Sequence, residues 1–398
     1  MESSKYSEIS LKDFKWTNEP KYWNITGETL EVTTDDKSDY WQGPLGNRDH
    51  TTGHLYGIEI KDDFQFEVCV EADFSHLYDQ AGLMIYFDDK HWLKAGIEYM
   101  HGGQPMIGSV LTNERSDWGT GVFTGNPRKF YMRMSRKGDV ACVKYSADKE
   151  RWTLLRLCPL PRSGAPCLVG AIKYKEISLE GFKWTNEPKY WKITGDTLEV
   201  TTDDKSDYWQ GPLGNRDHTT GHLYGVEIKD DFQFEVAFKV IRDPSALFSS
   251  GLIIGMTMMN YIFQVCVEAD FSHLYDQAGL MIYFDDKHWL KAGIEYMHGG
   301  EPMMGSVLTN ERSDWGTGVF TGNPRKFYLR MSRKGDVACV KYSADKERWT
   351  LLRLCPLPRC GAPCLVGAMC CTPTRRGLHV SFSDIHITVP ADDILHSN

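Results

Sequence analysis

The chain reads as an all-β protein made of two tandem β-sandwiches, and three observations predict this. Short strands with apolar residues at alternate positions recur at regular spacing, separated by turn residues, with no sustained helical periodicity. The stretch YDQAGLMIYFDDKHWLKAGIEY, Tyr78 to Tyr99, reads as two strands about Asp88-Asp89-Lys90. It places Ala81, Leu83, Ile85 and Phe87, then Leu93, Ala95, Ile97 and Tyr99, on one face. That stretch returns unchanged as Tyr275 to Tyr296, and 398 residues suit about two domains.

In the first repeat, residues 9–16, ISLKDFKW, read as an opening strand, and Thr17-Asn18-Glu19-Pro20 as a turn. Trp23 to Thr33 gives two short strands about Thr26-Gly27. Asp39-Tyr40-Trp41-Gln42 starts a Gly- and Pro-rich loop that ends near Gly53. Phe64 to Ala72 alternates cleanly and forms a strand ahead of the central hairpin. Pro105 to Thr112 is a strand, and Asn113 to Gly125 a polar loop. Phe130 to Arg136 and Asp139 to Tyr145 make a hairpin across Lys137-Gly138. Trp152 to Cys158 and Cys167 to Ala171 are the last strands of this repeat.

The repeats divide the chain into a first sandwich at 1–172, a second at 173–390 and a tail at 391–398. Trp16 matches Trp184, 168 residues on, whereas Trp118 matches Trp315, 197 residues on; the difference of 29 is an insertion at 237–265. The period is too long for a solenoid, so each repeat is a domain. The insertion cuts a strand after Val236 and restores its alternation at Phe263-Gln264-Val265. Phe232 to Val236 or Phe263 to Ala269 can fill the strand position; the other flank then loops out or adds an edge strand. A retained intron leaves the same signature. The run Leu247 to Phe263 has 17 residues and carries Ser249, Ser250, Thr257 and Asn260. A spanning helix needs about 20 apolar residues, so no membrane span is expected. The second repeat also continues into an alternating run, Leu378 to Ile387, while the first passes from Gly170-Ala171 straight into its successor. The first sandwich therefore lacks a closing strand, which bares an edge. It is expected to be the less stable one, and to borrow Ile172 to Phe182 or pair with a strand of its neighbour.

Apolar content of 41% and charged content of 25% are those of a soluble globular protein. The net charge is −9 with no block of like charges, which excludes a general nucleic-acid or anionic-membrane surface. The start, MESSKYSEIS, has no apolar core after a basic segment, so a cytoplasmic location and reduced thiols for the eleven cysteines are expected. Asn24-Ile25-Thr26 is a glycosylation sequon, but Lys192 stands at the matching place in the second repeat.

FKWTNEP, DYWQ, YDQAGLM, WLKAGIEY, SVLTNERSDW and YSADKERW, in this order, resemble the regulation-of-enolase family of the concanavalin A-like lectin/glucanase superfamily. The pattern covers essentially the whole of each repeat, and YDQAGLM followed by WLKAGIEY is its most specific part. The resemblance implies two tandem concanavalin A-like jelly-roll β-sandwiches, each with one convex and one concave sheet. It also implies a binding or regulatory role, since the family name reflects an influence on a glycolytic enzyme and not a reaction.

Glucanases of the wider superfamily use Glu-x-Asp-x-x-Glu on one strand face. Glu71-Ala72-Asp73-Phe74-Ser75-His76 has the first two acids and then His76, and Glu268, Asp270 and His273 repeat this. A glycosidase needs two carboxyls flanking the bond. With the third acid missing, a solvated face outweighs a catalytic pair, and a carbohydrate-active hydrolase using Glu71 or Glu98 stands as the alternative. The face of the central hairpin opposite the core is mixed in character. There and nearby, Tyr40, Trp41, Trp92 and Trp118, with Tyr131, offer flat rings to a sugar, and Gln80, Lys94, Glu98, Asp117 and Arg133 offer polar groups. The second repeat supplies Tyr208, Trp209, Gln277, Trp289, Lys291, Glu295, Asp314, Trp315 and Arg330. Against this, Trp and Tyr also fill sandwich cores, and Lys94 with Glu98 can be a simple ion pair. The expected partner is a glycan or small-molecule ligand, or a protein such as a glycolytic enzyme. Cys360, Cys364, Cys370 and Cys371 lack the spacing of a zinc site, and Asp35-Asp36 and Asp88-Asp89 lack that of a calcium loop. No nucleophile elbow, P-loop, dinucleotide fingerprint or HExxH motif occurs, and no cofactor is expected.

Overall fold

A computed structural model describes residues 11–35, 38–43, 49–74, 78–100, 105–162, 164–173, 190–194, 197–201, 208–210, 217–219, 234–236, 253–256, 260–297, 300–358, 362, 364–374 and 377–388. The first repeat opens with a 3-10 turn, Leu11–Asp13, and β1 (Lys15–Thr17). Two small hairpins follow, β2 (Tyr22–Thr26) with β3 (Thr29–Thr33) and β4 (Tyr40–Gln42) with β5 (Asp49–Thr51). The sandwich itself is β6 (His54–Ile60), β7 (Phe64–Glu71), β8 (Gln80–Asp88), β9 (His91–Tyr99), β10 (Pro105–Asn113), β11 (Arg115–Val122), β12 (Lys129–Lys137), β13 (Val140–Ser146), β14 (Thr153–Pro159) and β15 (Cys167–Lys173). The second repeat brings the hairpins β16 (Tyr190–Thr194) with β17 (Thr197–Thr201) and β18 (Tyr208–Gln210) with β19 (Asp217–Thr219). Then come β20 (Phe234–Val236), β21 (Ile253–Met256), β22 (Asn260–Ala269), β23 (Gln277–Asp285), β24 (His288–Tyr296), β25 (Pro302–Asn310) and β26 (Arg312–Val319). β27 (Lys326–Lys334), β28 (Val337–Ser343), β29 (Thr350–Pro356), β30 (Cys364–Cys371) and β31 (Val380–Thr388) complete it.

The central hairpin forms as its alternation predicts. Leu83, Ile85 and Leu93 are fully buried, and they pack in one core with Phe130, Met132, Met134 and Val143 from the facing layer. Each such side chain stabilises the fold by about 1.5–3 kcal/mol. The turn is held by Asp88, whose Oδ1 accepts from Lys90 N at 3.0 Å and lies 2.6 Å from His91 Nδ1.

Three local expectations change. Among the described residues of the opening segment the strand begins only at Lys15 and runs to Thr17, after a 3-10 turn at Leu11–Asp13. β6 lies in a stretch that the sequence reading left without a strand. The polar stretch after Asn113 is no loop: the chain turns at Glu114, whose φ is 65°, and returns as β11. A left-handed turn residue other than glycine is uncommon and gives no sequence signal. Ser116, Asp117 and Thr120 are polar yet buried because each finds a partner, which hides the usual strand pattern.

Two layers run through both repeats. One follows β1-β6-β15-β8-β9-β10-β11 and continues into β29-β28-β27-β22-β31-β20 of the second repeat. The other follows β7-β12-β13-β14 and continues into β26-β25-β24-β23-β30-β21. The crossings are reciprocal: Trp118 pairs with Leu354, and Leu157 with Trp315. The β11 and β26 strands of the two repeats meet at Val122 and Val319, and a Cβ added to Gly121 would lie 2.8 Å from Gly318 Cα. The repeats thus join about an approximate two-fold axis, each giving its β11-type strand to the other's β14-type strand.

The described residues of the insertion, 253–256 and 260–265, are strand. Phe263–Ala269 lies in β22 and pairs with β27 as β7 pairs with β12, so this flank fills the strand position. The other flank contributes β20, an edge strand on β31. Between them, β21 pairs with β30 where the first repeat sets β6 against β15. No helix among the described residues is long and apolar enough to cross a membrane. Of the segment expected to be borrowed, Ile172 lies in β15 and 174–182 falls outside the described residues.

Candidate functional site

The outer face of β8, β9, β10 and β11 carries four rows of side chains set by register. The first is Tyr86-Trp92-Thr112-Ser116, the next Met84-Lys94-Val110-Trp118, the third Gly82-Gly96-Gly108-Thr120 and the last Gln80-Glu98-Met106-Val122. The third row is almost bare. At Gly82 a Cβ would lie 1.9 Å from Ala95 O, and at Gly96 2.1 Å from Ala81 O, so the two strands approach too closely for any side chain.

The segment Tyr40-Trp41-Gln42 lies across the first two rows. Gln42 N donates to Ser116 Oγ at 3.0 Å, and Gln42 Nε2 to Asp89 O at 3.1 Å. Trp41 meets Trp118 edge-on at 6.2 Å, and Tyr40 meets Tyr86 at 5.8 Å and Trp92 at 6.2 Å. Beneath it, Lys94 Nζ donates to Tyr40 O at 2.9 Å and sits 3.9 Å from Asp39 and 5.4 Å from the Trp92 ring centre. Burial pulls the Lys94 ammonium down to about 7, and the charges of Asp39 and Glu98 offset only part of this.

Beside this cover lies a recess of about 20 Å³, lined by Gln80, Gly82, Lys94, Gly96, Glu98, Gly108, Val110, Trp118 and Ile172. Such a volume holds about one water-sized group. Gln80 Nε2 donates to Glu98 Oε1 at 2.8 Å, which orients the carboxylate. Among the described residues Trp118 Nε1 is buried with no hydrogen-bond acceptor, and a Cβ at Gly108 would come within 3.3 Å of it. A buried donor left without an acceptor costs about 1–3 kcal/mol, which a guest oxygen can recover. The second repeat forms a smaller recess, about 10 Å³, from Gln277, Lys291, Glu295, Gly305, Val307 and Met369, with no indole in its lining; Gln277 Nε2 donates to Glu295 Oε1 at 2.9 Å and Lys291 lies 5.6 Å from the Trp289 ring centre.

The structure therefore brings together Tyr40, Trp41, Gln80, Trp92, Lys94, Glu98 and Trp118, and likewise Gln277, Trp289, Lys291 and Glu295. Tyr40, Trp41, Trp92 and Trp118 are at most 3% exposed, so they pack against one another and present no ring face to a sugar. Tyr208 and Trp209 lie in β18, and their side chains fall outside the described residues.

Asp117 and Asp314 do not join the recess. They face the joint between the repeats, where Arg156 and Arg353 each bond to both of them. Burial works against ionisation of Asp314, but the two guanidiniums hold it below the usual carboxylate range. Asp117 is pushed up, by burial first and by the charge of Asp314, against the same guanidiniums. The two carboxyls thus titrate as one pair.

Arg133 on β12 and Arg330 on β27 each lie on the layer of their own sandwich opposite its recess. Arg133 Nη2 donates to Glu67 Oε2 at 2.7 Å and stacks 3.8 Å from the Trp152 ring centre; Arg330 stacks on Trp349 at 3.9 Å. Of the acids weighed for hydrolysis, Glu98 is buried in the recess and the others are surface ion pairs: Glu71 with Lys129, Asp73 with Arg128, Glu268 with Lys326 and Asp270 with Arg325. His76 and Asp36 lie outside the described residues. Among the described residues every cysteine is a free thiol and no cluster suits a metal ion.

The alternation places Gly82 and Gly96 on this face, but the sequence does not show that with Gly108 they leave a bare row. Sequence reasoning passed over Arg156 and Arg353, whose one trace is a lone arginine inside the apolar LLRLC. It placed Trp23 in a strand but did not single out Tyr22 and Trp23 as exposed, at 71% and 39%.

Regulation of enolase protein 1 of Saccharomyces cerevisiae is 36% identical over 225 residues, which are 56% of this chain and 98% of the relative. An uncharacterized protein of Emericella nidulans is 31% identical over 87 residues, which are 21% of this chain and 43% of that protein. Among solved structures, a functionally unknown protein from Saccharomyces cerevisiae aligns at 36% identity over 52% of this chain and 96% of that one, with a TM-score of 0.42. A GH43 protein from Bacillus licheniformis aligns at 11% identity over 77% of this chain and 64% of that one, with a TM-score of 0.31. The model of a family described as protein of unknown function (DUF1349) matches residues 16–175, 184–262 and 242–390, its last two stretches overlapping inside the insertion. Both repeats are matched, and the chain belongs to the DUF1349 family.

Proposed function

We propose that this protein is a non-catalytic regulatory module of the kind its yeast relative's name describes, and that each repeat recognises a polar group of a protein partner at its glycine-floored recess. One observation carries the reading: a buried lysine, a buried glutamate and an indole donor without an acceptor among the described residues surround a space of about 20 Å³, and Lys291 and Glu295 border a smaller one in the second repeat. A space that takes one water-sized group suits a carboxylate, amide or hydroxyl terminus and leaves no room for a sugar ring. The buried aromatic rings argue the same way against the glycan reading. Two similar sites on one chain raise avidity for a partner with repeated subunits.

The partner to test first is enolase, from the relative's name. Purified enolase is titrated with the full-length protein, with calorimetry for binding and 2-phosphoglycerate turnover for effect. Saturable binding that is lost in the Glu98→Gln, Glu295→Gln double variant supports the proposal. Binding that the double variant retains, or its absence together with unchanged turnover, counts against it.

A further inference from the structure

The two repeats differ along one edge. β22 has β27 on one side and β31 on the other, whereas β7, its counterpart, has β12 alone beside it among the described residues. The strands are nearly the same sequence: Phe66-Glu67-Val68-Cys69-Val70-Glu71 against Phe263-Gln264-Val265-Cys266-Val267-Glu268. Their surroundings are not. Phe263, Val265 and Val267 are 1%, 0% and 0% exposed, while Phe66, Val68 and Val70 are only partly buried and Cys69 is exposed.

The second repeat shows what fits such an edge. β31 lies antiparallel on β22 with Val380 opposite Ala269, Phe382 opposite Val267 and Ser383 opposite Cys266. Val380, Phe382 and Ile385 are buried. At Asp384 the strand bulges, with φ at 54°, and that carboxylate takes Lys346 at 2.5 Å. Lys149 holds the equivalent place in the first repeat, 60% exposed and 3.3 Å from Glu67. Aromatic side chains border the same end of the sandwich: Phe14 packs on Phe66 at 6.0 Å and on Tyr56 at 5.6 Å, and Trp23 on Tyr56 at 5.9 Å.

We propose that the outer edge of β7 is a docking site for an extended segment of a partner protein, which adds as an antiparallel strand. The segment has the chemistry of β31, with apolar residues at alternate positions and an acidic residue placed to meet Lys149. Main-chain hydrogen bonds supply the affinity, and the half-covered Phe66, Val68 and Val70 select the side chains. This site is separate from the glycine-floored recess, and either can fail without the other.

The test uses the full-length protein and a fluorescent peptide with the sequence of residues 378–388. Anisotropy reports binding, and alkylation of Cys69 by iodoacetamide, read by mass spectrometry, reports the place. Saturable binding is expected, with Cys69 alkylation slowed about tenfold at saturation, the slowing when about nine tenths of sites are covered. Lys149→Ala is expected to weaken binding about threefold, the scale of an exposed ion pair. A peptide N-methylated at alternate residues is expected not to bind. The proposal is overturned by no binding, by equal binding of a scrambled peptide, or by binding that leaves Cys69 alkylation unchanged. Slow Cys69 alkylation before any peptide is added overturns it too, because the edge is then already covered.

Discussion

Arg156 Nε donates to Asp314 Oδ1 at 2.9 Å, and the equivalent Arg353 Nε returns the bond to Asp117 Oδ1 at 3.0 Å. Each arginine also reaches the aspartate of its own repeat, at 2.8 Å and 2.6 Å. The four charges cancel inside a joint where no side chain of the set is more than 7% exposed. The remaining donors are used as well: Arg156 Nη1 bonds to Asp117 O at 3.1 Å and Arg353 Nη1 to Asp314 O at 3.2 Å.

Removing one guanidinium should be costly. Arg156→Met leaves two buried carboxylates facing one arginine, and is expected to lower unfolding stability by about 3–5 kcal/mol in urea titration. Replacing all four residues by apolar ones of similar size is expected to cost far less, since no charge is then stranded. A loss below about 1 kcal/mol for the single variant is the value of an exposed pair and contradicts the buried joint.

The axis of the joint is sensitive to one atom. Gly121→Ala brings a Cβ to 2.8 Å from Gly318 Cα, whereas at Gly119, two residues away, the nearest atom is 3.8 Å off. Gly121→Ala is expected to lose about 1–3 kcal/mol through overpacking. Gly119→Ala should stay within about 0.5 kcal/mol of the parent. Thermal unfolding of the two variants side by side decides this.

Lys94 sets a pH dependence. Its folded value of about 7 lies below its ordinary 10.5, so above pH 7 the unfolded chain binds the proton that the folded one has released. Stability from this group therefore rises with pH between the two values. Lys94→Met removes the effect. The variant's stability relative to the parent should therefore fall by up to about 1.4 kcal/mol per pH unit from pH 7 towards pH 9, the slope of one proton. Urea unfolding at pH 7, 8 and 9 measures the difference, and a constant offset contradicts a displaced lysine.

The unequal edges should show in amide exchange. β7 and β22 carry almost one sequence, so intrinsic rates nearly cancel. Amides of Phe66 to Glu71 are expected to exchange faster than those of Phe263 to Glu268, because the latter strand has a neighbour on both sides. Hydrogen exchange read by mass spectrometry resolves the two peptides, and equal protection contradicts the difference.

Much of the fold was legible because it rests on local alternation. The strands Phe130–Arg136 and Asp139–Tyr145 set apolar residues at alternate positions against the core, as the hairpin Gln80–Tyr99 does with its row of Leu83, Ile85 and Leu93, and that leaves a period in the sequence. β11 was not legible. Its buried Ser116, Asp117 and Thr120 are matched by groups far along the chain: Arg353 lies 236 residues from Asp117, and Leu351 lies 231 residues from Thr120. The candidate site was half legible. Gln80, Lys94 and Glu98 share a face by simple alternation, so their meeting could be read. That Trp41 and Trp118 meet edge to face and close the sheet surface depends on how Tyr40–Gln42 folds back, which no local pattern records.

Because Arg156 and Asp314 sit on one polypeptide, their meeting does not depend on how much protein is present. Two separate chains joined through such a face would come apart on dilution, whereas the tether keeps the local concentration of each half high at any expression level. Covalent fusion also frees the halves from sharing one gene sequence. A pair of identical chains carries either two closing strands or none; here one half keeps β31 and the other goes without it.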